Sequence, residues 1–245
     1  MTKPVKILNP SEYEYLEGPK SRSSELSFAI KVFFQFIKGF RCLHFVGPCI
    51  TVFGSARFKE GHPYYEKARD VGKAIANLGF TTMTGGGPGI MEAANRGAFE
   101  NGGRSVGVNI QLPHEQFPNP YLHTSVTLKY FFVRKVLLLK YSYAFIILPG
   151  GWGTMDEMFE TLTLVQTATI HNFPVVLIGK DYYQGLMDYI HFMEAQKTIS
   201  PEDLKFVKLT DDIDEAMIHI SKYITDNYQI KKKIRRRLWW LLEQV

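Results

Sequence analysis

Ala144-Phe145-Ile146-Ile147-Leu148 is an uninterrupted apolar run that ends directly in Pro149-Gly150-Gly151-Trp152-Gly153-Thr154. A strand with one face in water alternates apolar and polar residues. A run without a polar position belongs to a strand covered on both faces, as in the centre of a parallel sheet. The neighbouring segments agree. Short β-rich runs at Ile50–Phe53, Phe80–Thr84, Ser105–Ile110, Ser125–Leu128, Pro174–Ile178 and Phe206–Leu209 alternate with helical patterns. The helices are expected over Tyr64–Leu78, Ile90–Asn101, Val133–Tyr141, Thr154–Thr169, Tyr182–Ala195 and Ile213–Tyr228. Strands alternating with helices of about 10–15 residues pair in parallel through right-handed crossovers. The expected fold class is therefore α/β, a doubly wound parallel sheet with helices on both faces.

The chain of 245 residues is long enough for one well-buried core of this kind. Residues 1–24 are polar and read as an N-terminal arm. Residues 25–228 read as one domain that opens with an added amphipathic helix, and 229–245 as a basic amphipathic tail. In the added helix, Lys31, Gln35, Lys38 and Arg41 form a polar stripe over Leu26–Arg41, which implies a broad buried apolar face. The same charges argue against a membrane span. No secretory leader is read at the N-terminus, and Cys42 and Cys49 suggest neither a disulfide framework nor a metal site. A cytoplasmic protein without metal or organic cofactor is expected.

The net charge of +5 resides in the tail. Residues 231–245 hold six basic residues and one acid, and the remainder carries 23 of each sign. The charge is thus no argument for nucleic-acid binding. The tail also carries Ile234, Leu238, Trp239, Trp240, Leu241 and Leu242. It fits a contact between subunits or with its own core better than an anionic membrane.

Gly85-Gly86-Gly87-Pro88-Gly89 and the 149–154 segment each join a strand end to a helix start. Such turns suit anions, because glycine admits close backbone approach and the first helical N–H groups lack partners. Ile90 occupies the third-glycine position of a dinucleotide fingerprint, and neither turn carries the G-K-[ST] of a nucleotide triphosphatase. Glu157 admits two readings. Thr154-Met155-Asp156-Glu157 matches a capping box in the first helical turn, and a carboxylate beside a bound phosphate can stabilise an oxocarbenium-like sugar or activate water. Arg134-Lys135 is either a solvated surface pair or a phosphate-orienting pair, for which the guanidinium of Arg134 has the bidentate geometry. Glu92 either complements a helix dipole or faces the pocket.

Pro149-Gly150-Gly151-Trp152-Gly153-Thr154-Met155-Asp156-Glu157 resembles the P-G-G-x-G-T-x-x-E signature of the LONELY GUY (LOG) family, cytokinin riboside 5′-monophosphate phosphoribohydrolases often labelled lysine decarboxylases. Arg134-Lys135, at the family interval from Glu157, Gly85–Met91 and Phe53-Gly54-Ser55-Ala56-Arg57 are similar to its other motifs. The resemblance covers about Cys49 to Leu186. It implies a Rossmann-like fold, a homodimer or larger assembly of dimers, and a catalytic pair of Arg134 and Glu157. The implied substrate-binding and phosphate-binding set is Gly54, Ser55, Gly86, Gly87, Met91, Glu92, Glu115, Lys135, Gly150, Gly151, Gly153, Thr154 and Thr163. Glu92 after Met91, Phe131-Phe132-Val133 before Arg134 and the two terminal extensions are features of the longer branch of the family. The decarboxylase label does not fit, because Lys135 and Lys140 have no identifiable partner for pyridoxal-phosphate chemistry.

The expected reaction is hydrolysis of a purine or cytokinin nucleoside 5′-monophosphate, with AMP as one candidate, to free base and ribose 5-phosphate. The rival is a nucleotide or phosphorylated-cofactor binding protein that performs no chemistry. The sequence leaves the preferred base open.

Overall fold

The computed structural model describes residues 18–112, 117–171 and 173–228. Most of the N-terminal arm, the basic tail and Glu115 lie outside the described residues. The strands are β1 (Cys49–Phe53), β2 (Thr81–Thr84), β3 (Ser105–Ile110), β4 (Thr124–Leu128), β5 (Ser142–Ile147), β6 (Val175–Ile178) and β7 (Val207–Thr210). They form one seven-stranded sheet in the order β4-β3-β2-β1-β5-β6-β7. Every pairing is parallel. The helices are α1 (Arg22–Leu43), α2 (Pro63–Asn77), α3 (Ile90–Glu100), α4 (Phe131–Lys140), α5 (Trp152–Gln166), α6 (Lys180–Ala195), the short α7 (Pro201–Leu204) and α8 (Ile213–Asn227).

The apolar run at 144–148 has the expected cause. Phe145 and Ile147 belong to one buried cluster with Leu137, Met158 and Tyr183, contributed by α4, α5 and α6. Ala144, Ile146 and Leu148 belong to a second cluster with Tyr65, Ile75, Ile90 and Ile220, contributed by α2, α3 and α8. Alternate residues of the strand thus enter different cores, so neither face can be polar. At the margins this demand relaxes, and β4 alternates buried and open positions, as an edge strand can.

Strand order reverses between β1 and β5. Successive strands from β1 run outward through β2, β3 and β4, whereas β5, β6 and β7 run the other way. The connections leaving the carboxyl ends of β1 and β5 diverge there. This opens the crevice in which doubly wound sheets hold ligands.

Two expectations need correction. The added helix α1 is longer than the apolar pattern implies, capped by the Ser21 hydroxyl accepting from the Ser24 N–H. Its apolar face is only partly covered. Phe28, Val32, Phe36 and Phe40 pack on the core, whereas Leu26, Ile30, Phe33 and Phe34 remain exposed. Within the described residues α1 lies against the edge strand β4 and against α4. Part of its polar stripe turns toward β4: Lys38 Nζ donates to the Thr127 carbonyl at 2.7 Å, and Gln35 Oε1 accepts from the Lys129 N–H at 2.9 Å. Nor does the capping box form. Helix α5 begins at Trp152 with Gly151 as its N-cap, so Thr154 is already the third helical residue. Glu157 therefore falls in the second turn and cannot fold back onto the cap. Among the described residues no helix is long and apolar enough to cross a membrane.

Helices α2 and α3 pack with their backbones in contact. A Cβ on Gly97 would overlap the carbonyl oxygen of Arg69, and one on Gly72 that of Ala94. Alanine normally stabilises a helix by about 1 kcal/mol relative to glycine, but here the obstacle is main chain that cannot step aside. Gly97→Ala is expected to cost about 1–3 kcal/mol through overpacking and to lower Tm by several degrees. Thermal unfolding checks this, and an unchanged or raised Tm would contradict the close packing.

Candidate active site

A cleft of about 600 Å³ occupies the carboxyl edge of the sheet at the reversal. Its floor comes from the end of β1 (Phe53, Gly54, Ser55), the first glycine turn (Gly85, Gly87), the end of β3 (Asn109, Ile110) and the second glycine turn (Gly150, Gly151). Met91, Arg134, Gly153, Thr154 and Glu157 complete its inner walls, and Arg57, Phe58, Leu112, Phe131, Trp152, Asp156 and Tyr182 extend them.

Ser55 joins the two turns. Its N–H donates to the Pro149 carbonyl at 2.9 Å, and its own carbonyl accepts from the Ile90 N–H at 3.0 Å. The second turn is further held by Tyr182, whose hydroxyl donates to the Gly150 carbonyl at 2.7 Å, and by Tyr183, which donates to Leu148 at 2.8 Å. Thr154 is buried with its hydroxyl against Gly150. No side chain caps the start of α5, so its first turn presents N–H groups and the positive end of the helix dipole to the cleft.

The first turn is fixed by a buried amide network. Thr84 Oγ1 accepts from the Gly86 N–H at 2.8 Å and donates to Asn95 Oδ1 at 2.5 Å. Asn95 Nδ2 donates to Ser105 Oγ at 2.8 Å. Asn119 Nδ2 donates to both the Gly87 carbonyl and Asn95 Oδ1, at 3.1 and 3.0 Å, while its main-chain N–H reaches the Gly86 carbonyl.

Arg134 and Glu157 face this cleft from α4 and α5. Glu157 is only 7% exposed. Burial pushes its carboxyl up to about 7, against the lowering influence of Arg134 and Lys135. Burial also pushes the Arg134 guanidinium down, and Glu157 opposes that shift. Each charge thus offsets part of the burial cost of the other in a poorly solvated place. Gly85 makes room for the arginine, since a Cβ there would overlap Arg134 Nη2. Arg134 Nε is buried and makes no hydrogen bond within the described residues.

The structure separates the remaining expected residues into two groups. Gly54, Ser55, Gly87, Met91, Gly150, Gly151, Gly153 and Thr154 line the cleft with Arg134 and Glu157. Gly86, Glu92, Lys135 and Thr163 do not. Glu92 accepts from the Tyr65 hydroxyl at 3.0 Å on the α2–α3 side. Thr163 donates to the Phe159 carbonyl along α5. Lys135 makes ion pairs of 3.0 Å with both Asp156 and Glu160, tying α4 to α5. Burial works against its charge, but the bonds to the two carboxylates outweigh it and raise its pKa. Sequence reasoning missed Asn109, Asn95 and Asn119. The signal available was a polar amide at an inward position, as in Ser-Val-Gly-Val-Asn-Ile.

A ligand crevice at the strand-order reversal of an all-parallel, doubly wound sheet places the molecule among the Rossmann-like α/β proteins. Within that class the chain belongs to the LOG family. The family profile described as "Possible lysine decarboxylase" matches residues 91–220. A cytokinin riboside 5′-monophosphate phosphoribohydrolase of Rhodococcoides fascians is 34% identical over 176 residues, covering 70% of this chain and 88% of that protein. A protein of the same name from Mycobacterium tuberculosis is 30% identical over 155 residues, covering 62% and 82%. Among solved structures, the molybdenum cofactor binding protein of Rippkaea orientalis shares the fold with a TM-score of 0.56 at 22% identity, over 73% of this chain and 98% of that one.

The raised carboxyl has a consequence for stability. Between about 4.5, the ordinary value, and about 7 the folded chain holds the Glu157 proton that the unfolded chain has released. The Glu157 contribution is therefore full below the ordinary value and is lost as pH rises through 7. Glu157→Gln removes that dependence. The stability of the variant relative to the wild type is expected to improve by about 2–3 kcal/mol between pH 5 and pH 8. Denaturant unfolding at both pH values measures the difference, and a pH-independent one would contradict the burial of a titrating carboxyl.

Proposed function

We propose that this protein hydrolyses the N-glycosidic bond of a purine or cytokinin nucleoside 5′-monophosphate, releasing free base and ribose 5-phosphate. The observation that carries the proposal is a buried carboxyl, Glu157, held near neutrality beside Arg134 in a cleft bounded by two glycine turns. The names of the relatives from Rhodococcoides fascians and Mycobacterium tuberculosis support it.

In this reading the 5′-phosphate sits on the turn Gly150–Thr154, where the uncapped start of α5 supplies N–H donors and a favourable dipole. Arg134, poorly solvated and with Nε unused, orders the phosphate and the sugar beside it. Glu157 as carboxylate stabilises the oxocarbenium character that develops at C1′ as the bond to the base breaks. Water then bonds to C1′ and gives one proton to Glu157, which passes it to the departing base nitrogen, so the base leaves neutral, the sugar keeps the hydroxyl and Glu157 returns to the carboxylate. A pKa near 7 lets one carboxyl serve both as stabilising anion and as proton acceptor at neutral pH. No metal or organic cofactor is called on. The active form is a homodimer, or an assembly of dimers, in the cytoplasm.

The chemistry of a decarboxylase does not suit these residues. No lysine is among the described residues lining the cleft. Lys135 is engaged with two carboxylates, and Lys140 Nζ lies 5.7 Å from the Phe40 ring centroid. Nor would a carrier that only holds a nucleotide need a buried carboxyl of raised pKa against the sugar.

The test is release of base and ribose 5-phosphate from AMP, GMP, IMP and isopentenyladenosine monophosphate, with Glu157→Gln beside the wild type. The wild type is expected to turn over at least one of them, and the variant to lose about 10²–10⁴-fold in kcat while still binding nucleotide. A fully active variant would remove Glu157 from the mechanism. Binding without turnover of any substrate would support the carrier.

A further inference from the structure

Asn109, next to last in β3, lines the cleft and is 5% exposed. Its Oδ1 lies against Gly86, 2.8 Å from where a Cβ would stand, while its Nδ2 is buried with no partner among the described residues. Burying a primary amide with an unused donor is unfavourable by about 1–3 kcal/mol unless something bound in the cleft accepts from it. Such an orphan donor on the wall of a cleft therefore points to a ligand acceptor.

Its place along the cleft says which part of the ligand that is. The phosphate turn follows β5, and the sheet order places β1 and β2 between β5 and β3. Three inter-strand steps of ~4.8 Å put the end of β3 roughly 14 Å from the end of β5. A nucleotide anchored by its phosphate at β5 would reach that far only with its base. The residues that continue the chain on this side, Ile110 and Leu112, are apolar and line the cleft, as does Met91, whose Sδ lies 2.7 Å from the Cβ position of Gly85. An apolar wall with one amide donor suits a flat heteroaromatic ring with an acceptor on its edge, not a sugar with several hydroxyls.

We propose that Asn109 is a specificity-determining residue whose Nδ2 donates to an acceptor nitrogen or carbonyl oxygen on the edge of the base. This rests on the nucleotide reading above and adds which group reads the base.

The test is calorimetric titration of AMP, adenine and ribose 5-phosphate into Glu157→Gln, which prevents turnover, with and without Asn109→Ala. Adenine and AMP are expected to bind about tenfold more weakly when Asn109 is replaced, as befits one lost hydrogen bond. Ribose 5-phosphate should stay within about twofold, an expectation based on its lacking the group that Asn109 contacts. Equal weakening of all three would make Asn109 a merely structural support of the turn and overturn the proposal, as would unchanged AMP affinity. Asn109→Leu, which keeps the side-chain volume and removes the orphan donor, repeats the comparison should the alanine variant fold poorly. A wild type that binds AMP but never cleaves it would sink the hydrolase reading, yet the same affinity pattern would still stand for Asn109. If AMP does not bind at all, both fall.

Discussion

Glu157 and Arg134 are opposite charges placed together in one poorly solvated part of the cleft. Burial pushes each toward its neutral form and the partner resists. Much of the surrounding architecture bears on keeping the pair in place. Lys135 ties α4 to α5, the helices that carry the two residues, by two ion pairs. Gly85 yields the space against which the guanidinium lies. Ser55 fastens both glycine turns to the end of β1. The reversal of strand order between β1 and β5 opens the crevice into which the pair faces.

The fold was legible in the sequence because its strongest signal has one physical cause. A strand buried on both faces has no polar position, and the 144–148 run splits between two cores as that cause requires. The glycine turns were legible for a similar reason, since strand, glycine run and helix start follow one another in the chain. Element ends differ from the expected ones by up to four residues, as local pattern does not settle fraying termini. The short helix α7 is not legible in the sequence because four residues give no periodicity.

The illegible part of the site depends on partners far apart in the chain. The S/T-x-x-E pattern at 154–157 is a local rule, and it was overruled because the helix starts two residues earlier, at Trp152, against the tertiary frame of the turn. Lys135 reads as a neighbour of Arg134, but side chains one residue apart on a helix diverge, and it turned to Asp156 and Glu160 instead of the cleft. Glu92 accepts from the Tyr65 hydroxyl of α2, a partner that no local pattern around Glu92 shows. The Asn95–Asn119 bond and the donor of Asn109 become visible only once β2, β3 and the loop after them are assembled. The apolar residues of α1 likewise exceed what the described residues of one chain cover.

The carboxyl of Glu157 is a buried group that changes charge near neutral pH. Its side-chain carbon can be followed directly by 13C NMR of glutamate-labelled protein across pH 4 to 9, with Glu157→Gln identifying the resonance. A midpoint near 7 is the predicted result. A midpoint near the ordinary value of 4.5 would mean a solvated carboxylate, and the electrostatic argument that joins Arg134, Glu157 and the cleft would be contradicted.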